Sequence, residues 1–278
     1  EPAGRNTAPT IALACFHYNP DEIIFVTPSD HMIMNIENYG NCIKEAVKSA
    51  VKGNLVTFGI NPDYPETGYG YIEVEENRGE DVILKAAGFK EKPDIKTAEN
   101  FIKAGNYLWN SGMFLFKAGV FLKELKKYSP LIYKKAEIAY RESRTDKTET
   151  ADVIRISEAR MLDIPADSID YAVMEKSDSV YVVPASIGWT DMGSFDALKS
   201  IAEKDSMGNT IDGNSIAIES KNNLCLVNGK KTALIGVEDL TVIDTDDALL
   251  ISKSGFSQKV KNVVSILNEG SDKDRLLT

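Results

Sequence analysis

The sequence predicts an α/β protein with a doubly wound parallel sheet, followed by a small β domain. Three observations carry this. Strand-like and helix-like segments alternate through Ile60. The run Ile23-Ile24-Phe25-Val26-Thr27 is apolar or β-branched at every position, as in a central strand of a parallel sheet, and Pro28 stops it. After about Asn209, short β-like pieces recur, punctuated by Gly and Asn, which suggests a small β domain or a few coils of β-helix.

The elements follow in order. Pro9 to Phe16 suits a buried helix with Pro in its first turn. Asn35 to Lys52 carries apolar residues at helical spacing, with Gly53 as a stop signal, and Leu55 to Ile60 reads as the next strand. Thr67-Gly68-Tyr69-Gly70-Tyr71 is a turn leading into Ile72-Glu73-Val74, and Val82 to Ala86 is a further strand. Thr97 to Ala104 reads as a helix ended by Gly105. Met113 to Phe116 is a short strand, and Val120 to Tyr128 and Leu131 to Arg141 are helical. Residues 142 to 152 are polar and read as a surface loop. Ser168 to Lys176 is a short helix with Ser168 as N-cap, and Ser179 to Val183 alternates like a strand. Gly188 to Gly193 is a turn before a helix from Phe195 to Ala202. Five β-like pieces lie between Ser215 and Ser252, without a clear fixed period, and Gln258 to Leu267 closes as a helix. The domain boundary is placed at 205/206.

Composition excludes several function classes. Hydrophobic content of 43% and charged content of 27% are those of a globular protein, and 278 residues suffice for a large core. A formal net charge of −10 argues against a nucleic-acid partner, because phosphate backbones need a basic surface. Cys15, Cys42 and Cys225 are odd in number and far apart, which favours a reducing cytoplasm over a disulfide framework or zinc site. With only His17 and His31, a histidine-rich metal site is excluded. No apolar run has membrane-spanning length, and no signal peptide is visible. The chain begins Glu1-Pro2-Ala3-Gly4, without a first βα unit, so an amino-terminal segment is expected to precede it.

The chemistry-bearing residues lie at turns. Asp30 follows the carboxyl end of a predicted strand, the edge where α/β sheets bind ligands, and suits a hard cation such as Mg²⁺ held against phosphate. The alternative is that Ser29 and Asp30 cap the next helix or shape a turn. Asp191, in a Gly-framed turn, offers a second carboxylate for the same ion, or else belongs to the N-cap region of the following helix. Gly68 and Gly70 leave backbone open to a ligand ring, or form an ordinary hairpin turn. Lys92, beside Glu91, is a cation for a phosphate or a solvated surface group. Asn110 offers both donor and acceptor to a sugar hydroxyl, or satisfies its own turn. No P-loop, no dinucleotide-binding glycine fingerprint and no serine nucleophile elbow is present.

Seven motifs stand in order: Glu1-Pro2-Ala3-Gly4-Arg5-Asn6-Thr7-Ala8-Pro9, Pro28-Ser29-Asp30-His31, Thr67-Gly68-Tyr69-Gly70-Tyr71-Ile72, Phe89-Lys90-Glu91-Lys92-Pro93, Tyr107-Leu108-Trp109-Asn110-Ser111-Gly112-Met113-Phe114, Ser168-Ile169-Asp170-Tyr171-Ala172-Val173-Met174-Glu175-Lys176 and Gly188-Trp189-Thr190-Asp191-Met192-Gly193-Ser194. Together they resemble bacterial mannose-1-phosphate guanylyltransferases, a family that includes bifunctional mannose-6-phosphate isomerases. The region after Asn209 resembles that family's short left-handed β-helix.

The resemblance implies a GT-A-like (Rossmann-like) nucleotidyltransferase fold with a mixed, mostly parallel sheet. It implies the reaction of GTP with mannose 1-phosphate to give GDP-mannose and diphosphate, by in-line attack on the α-phosphorus without a covalent enzyme intermediate. It assigns Asp30 and Asp191 to Mg²⁺, with Lys92 as the third catalytic residue. It assigns Gly4, Asn6, Pro9, Ser29 and Asp30 to the nucleotide, and Gly70, Glu91, Lys92, Asn110 and Glu175 to the sugar phosphate. The family's glycine-rich triphosphate loop precedes the first motif and is not in this sequence. A homodimer through exposed β-helix coil ends is left open, and neither a nucleic acid nor a membrane is expected as partner.

Overall fold

The computed structural model describes residues 1–75, 83–148 and 151–269, and places two compact units along the chain, Glu1–Trp189 and a second beginning at Thr190. In the first unit, α1 (Thr7–His17) starts where Asn6 Oδ1 accepts from the Thr7 N–H. It is followed by β1 (Ile23–Val26), β2 (Met32–Ile33) and α2 (Ile36–Val51), the last capped by Asn35, whose side chain accepts from Asn38 N. Then come β3 (Leu55–Ile60), β4 (Gly70–Val74), β5 (Leu84–Glu91) and α3 (Ile95–Ala104). Asp94 caps α3, and Gly105 ends it at φ 75°, a left-handed C-cap that glycine adopts without strain. β6 (Tyr107–Lys117), α4 (Ala118–Tyr128), α5 (Pro130–Arg141), β7 (Arg144–Lys147), β8 (Asp152–Arg155) and α6 (Glu158–Asp163) follow. A π-helical turn (Asp170–Met174), β9 (Val180–Pro184) and the two-residue β10 (Trp189–Thr190) complete the series to the boundary.

Six strands form one sheet in the order β1-β6-β3-β9-β5-β4, with β4 also meeting β6. Only β3 and β9 run parallel; the β1–β6, β3–β6, β4–β5, β4–β6 and β5–β9 pairs are antiparallel. A layered α/β architecture is present, but the sheet is mostly antiparallel, which corrects the mostly parallel sheet expected. Alternation of strands and helices gave the layers correctly; direction depends on pairings formed by residues far apart in the chain. The Ile23–Thr27 run is likewise corrected from a central strand to an edge strand, half-buried at all four β1 positions and paired only with β6. The centre belongs to β3, buried at every position.

Helices cover both faces, which explains why β3 is buried at every position. On β6, Phe114 and Phe116 face a core with Leu13, Phe121, Leu125 and Ile132 of α1, α4 and α5, while Met113 and Leu115 face the opposite core with Cys42, Ala46 and Ala50 of α2 and with Phe58. The Phe116 and Phe121 rings stack 4.9 Å apart. Three further expectations shift. The strand placed at Val82–Ala86 runs from Leu84 to Glu91, and Val82 lies outside the described residues. The short strand Met113–Phe116 is the end of an eleven-residue one that passes through Gly112 at φ 73°. The polar stretch 142–152 contains β7, paired with β8 as a hairpin whose Asp146 binds Arg144 and Arg155; residues 149 and 150 lie outside the described residues.

The second unit opens with α7 (Phe195–Ile201), capped by Ser194, and continues with β11 (Thr210–Ile211), β12 (Ser215–Ile218), β13 (Leu224–Val227), β14 (Thr232–Ile235), β15 (Leu240–Asp244), β16 (Leu249–Lys253) and α8 (Val260–Glu269). β11, β13 and β15 stack in parallel, as do β12 and β14, and β16 closes antiparallel on β15. Ser215 pairs with Thr232 and Leu224 with Thr241, the same offset along the chain, so coils of β-helix are present where no period was evident by eye. Buried Asn209 and Asn223 form a ladder at the turns. Asn223 Nδ2 donates to Asn209 Oδ1 at 2.9 Å, and Asn223 Oδ1 accepts from Leu240 N at 2.9 Å.

Candidate functional site

Register on the sheet assembles most of the candidates in the first unit. Gly70 of β4 pairs with Glu91 of β5, and Asn110 of β6 pairs with Gly59 of β3 where the β3–β6 register shifts. A Cβ built on Gly70 would collide with Glu91 Oε2 and lie 3.2 Å from Phe89. The open space that glycine leaves is therefore filled by the Glu91 carboxylate. Glu91, 12% exposed, in turn accepts from Lys92 Nζ at 2.7 Å. Lys92 sits at φ 46°, with its N–H on the Tyr69 carbonyl at 3.2 Å. This left-handed conformation turns the chain just past β5 and brings the lysine back over its neighbour. Its ammonium is held above the usual range, first by that hydrogen bond to Glu91.

Two more carboxylates face this pair. Glu175, at the end of the π-helical turn, is pushed up by burial and then by Glu91, while the backbone N–H of Glu91 donates to it. Asp170, at the start of the turn, is pushed up to about 6 by burial first and by the Glu91 charge second. Asn110 Nδ2 donates to Asp170 Oδ1 at 3.0 Å. The sequence reading gave Asp170 no role although it lies inside a quoted motif; its signal is contact with Asn110, sixty residues away. The turn itself rests on α1: Ile169 N donates to Thr7 Oγ1 at 2.8 Å, and Ala8 N to Asp167 O at 3.1 Å. Asn6, at φ 68°, and buried Pro9 thereby stand beside the turn that carries Asp170, with Gly4 in the exposed segment before them. The short helix expected at Ser168–Lys176 is this π-helical turn; its N-cap is Ile169 and not the expected Ser168, whose Oγ accepts from Tyr171 N at 3.2 Å just before it.

The turn after β1 stands next to the Asn110 strand. A Cβ on Gly112 would lie 3.5 Å from Pro28 Cγ and 3.8 Å from His31 Cε1. Ser29 and Asp30 are exposed, Asp30 at 81%, and neither caps α2, whose N-cap is Asn35. His31 Nε2 lies 3.9 Å from Asp30 Oδ1, and His31 Nδ1 faces the indole N–H of Trp189 at 3.1 Å. Aromatic rings continue this wall, with Tyr69 edge-on to both Trp189 and Trp109 at 5.3 Å. Asp191 belongs to the second unit. Its Oδ1 accepts from Gly193 N at 2.9 Å, while α7 is capped by Ser194, so the side chain shapes its turn and does not cap the helix. Among the described residues, no group of three or more His, Cys, Asp or Glu side chains is arranged to hold a metal. No helix of the described residues is long and apolar enough to cross a membrane.

The comparisons with known proteins agree with this layout. Residues 1–207 match the family model "Nucleotidyl transferase", and residues 213–267 match "MannoseP isomerase/GMP-like beta-helix domain". A mannose-1-phosphate guanylyltransferase of Escherichia coli is 39% identical over 99% of this chain and 60% of its own length. Mannose-1-phosphate guanylyltransferase RfbM of Salmonella typhimurium is 43% identical over 96% of this chain and 56% of its own length. The chain thus spans less than two thirds of these relatives. A solved structure from Thermus thermophilus, titled a mannose-1-phosphate geranyltransferase, superposes with a TM-score of 0.81 at 28% identity, over 96% of this chain and 77% of that one.

Proposed function

Because the chain belongs to the nucleotidyl transferase family, we propose that the protein carrying it joins GTP and mannose 1-phosphate into GDP-mannose with release of diphosphate. The observation that carries this reading is the shared name and identity of the two enterobacterial relatives over nearly the whole chain. The cluster of Glu91, Lys92, Asn110 and Glu175 on adjoining strands and one turn is consistent with it.

A phosphate oxygen of mannose 1-phosphate attacks the α-phosphorus of GTP, a new P–O bond forms, and diphosphate leaves with the electrons of the broken bond. No residue needs to become covalently attached, so the protein's contribution is placement and charge. Lys92 offers its ammonium to the sugar phosphate while Glu91 holds it in place. Asn110 and the nearby carboxylates offer hydrogen bonds to sugar hydroxyls, and the Asn6–Pro9 segment borders the base. Asp30, a hard oxygen donor exposed at a strand end, fits Mg²⁺, with phosphates and water as further ligands. When bound, Mg²⁺ neutralises charge on the triphosphate. Three free, buried cysteines support placement in a reducing cytoplasm.

The test is direct. The protein incubated with GTP, mannose 1-phosphate and Mg²⁺ yields GDP-mannose and diphosphate. A folded protein that forms no GDP-mannose overturns the reading, and turnover restricted to another nucleotide or sugar phosphate reassigns it.

A further inference from the structure

The Asn110 side chain has its orientation fixed from two sides. Gly112 N donates to its Oδ1 at 3.3 Å, and a backbone N–H can only meet an amide oxygen. Its Nδ2 faces Asp170 Oδ1 at 3.0 Å, and a carboxylate can only meet an amide N–H. Thr57 Oγ1, buried beneath, stands 3.1 Å from the same Asn110 oxygen and 3.0 Å from Met113 O. Reversing the amide would set N–H against N–H at Gly112 and oxygen against oxygen at Asp170. Gly112 N–H thus takes one acceptor position of the amide oxygen, and Thr57 Oγ1, whose single proton is shared between this oxygen and Met113 O, stands over the other. One amide hydrogen is spent on Asp170, and among the described residues the other has no partner.

We propose that Asp170 is a positioning residue that fixes Asn110 as a donor-only group, whose remaining N–H meets an oxygen of the sugar phosphate. This rests on the sugar-phosphate reading of the site. It narrows the sequence expectation, in which Asn110 offered donor and acceptor alike. A ligand hydroxyl there accepts from Asn110 and turns its own proton to a neighbouring carboxylate. The charged groups facing Asp170 are Glu91 at the end of β5 and Lys92 just after it; Ser168 adds a hydrogen bond. With Asp170 raised to about 6, its protonation below that pH weakens the hold on Asn110.

The proposal is read in two ways on the protein and its D170A and D170N variants. Asp170→Ala is expected to raise KM for mannose 1-phosphate about tenfold with KM for GTP unchanged, the loss of one charge-assisted hydrogen bond. Asp170→Asn, whose oxygen still accepts from Asn110, restores most of that affinity and removes the rise in KM below pH 6. Independently of turnover, the Asn110 side-chain amide signals in NMR titrate with a midpoint near 6 in the parent and not in D170N. An equal change in both KM values, an unchanged KM for mannose 1-phosphate in D170A, or an Asn110 amide that does not titrate overturns the proposal. A parent that lacks turnover while its Asn110 amide titrates overturns the substrate reading and leaves the Asp170–Asn110 coupling standing.

Discussion

The indole Nε1 of Trp189 lies 3.1 Å from Nδ1 of His31, two residues 158 positions apart in sequence. An indole nitrogen only donates, so Nδ1 accepts and the neutral imidazole carries its proton on Nε2, the nitrogen 3.9 Å from Asp30 Oδ1. The bond ties the turn after β1 to the end of the first unit and turns an N–H toward the Asp30 carboxylate.

Replacing Trp189 by Phe keeps the ring and removes the donor. The expected outcome is a mixture of His31 tautomers in place of one, read from imidazole ¹⁵N shifts, with a stability loss of about 1 kcal/mol in thermal unfolding. A single Nε2-protonated tautomer in W189F would show that another partner fixes the ring.

Gly70→Ala places a methyl where the Glu91 carboxylate sits. The carboxylate must move, and its 2.7 Å contact with Lys92 goes with it. The variant is expected to fold with a loss of about 1–3 kcal/mol from overpacking, and to raise KM for the sugar phosphate more than KM for GTP. Unfolding and steady-state kinetics together check this.

Asp170 makes stability depend on pH. Its carboxyl is raised from an ordinary value of 3.8 to about 6, so the folded protein holds the proton more tightly than the unfolded chain. The stabilisation by the protonated form is complete below about 4 and is lost as pH rises through about 6. D170N, which never ionises, is therefore expected to gain on the parent as pH rises from 4 to 7, by up to about 3 kcal/mol. Melting temperatures across that window decide it. A gap that stays flat or shrinks on raising the pH contradicts the assignment.

In the second unit, the side chain and N–H of Asn223 make four hydrogen bonds to three residues: its amide receives Leu240 N and donates to Asn209 Oδ1 and to Val237 O, and its own N–H reaches the same Asn209 Oδ1. Asn223→Leu leaves buried backbone groups unpaired and is expected to destabilise this unit by about 2–4 kcal/mol. Hydrogen exchange at Leu240 would accelerate well before that of the β3 amides in the first unit.

Much of the site could be read along the chain because its parts sit at turns with strong local chemistry. Pro28 ends a strand, Gly105 ends a helix, and Asn6, Asn35, Asp94 and Ser194 cap helices through their own side chains. Gly70 was read as leaving backbone open to a ligand ring, but what fills the space is Glu91, and only pairing of β4 with β5 reveals it. Asp170 passed unassigned because nothing within its own motif distinguishes a capping carboxylate from one that grips Asn110.

The sequence by itself determined the longer helices and several of the strands of the first unit, and the ordered motifs that point to a sugar-nucleotide transferase. These are properties of neighbouring residues: backbone preference, apolar period and turn chemistry act within a few positions. Tertiary structure alone decided that the sheet is mostly antiparallel, that Ile23–Val26 lies at its edge, that Asn110 is left as a donor, and that Asp170 stays protonated to about pH 6. Each of these depends on groups far apart in the chain, whose contact exists only once burial has excluded water from between them.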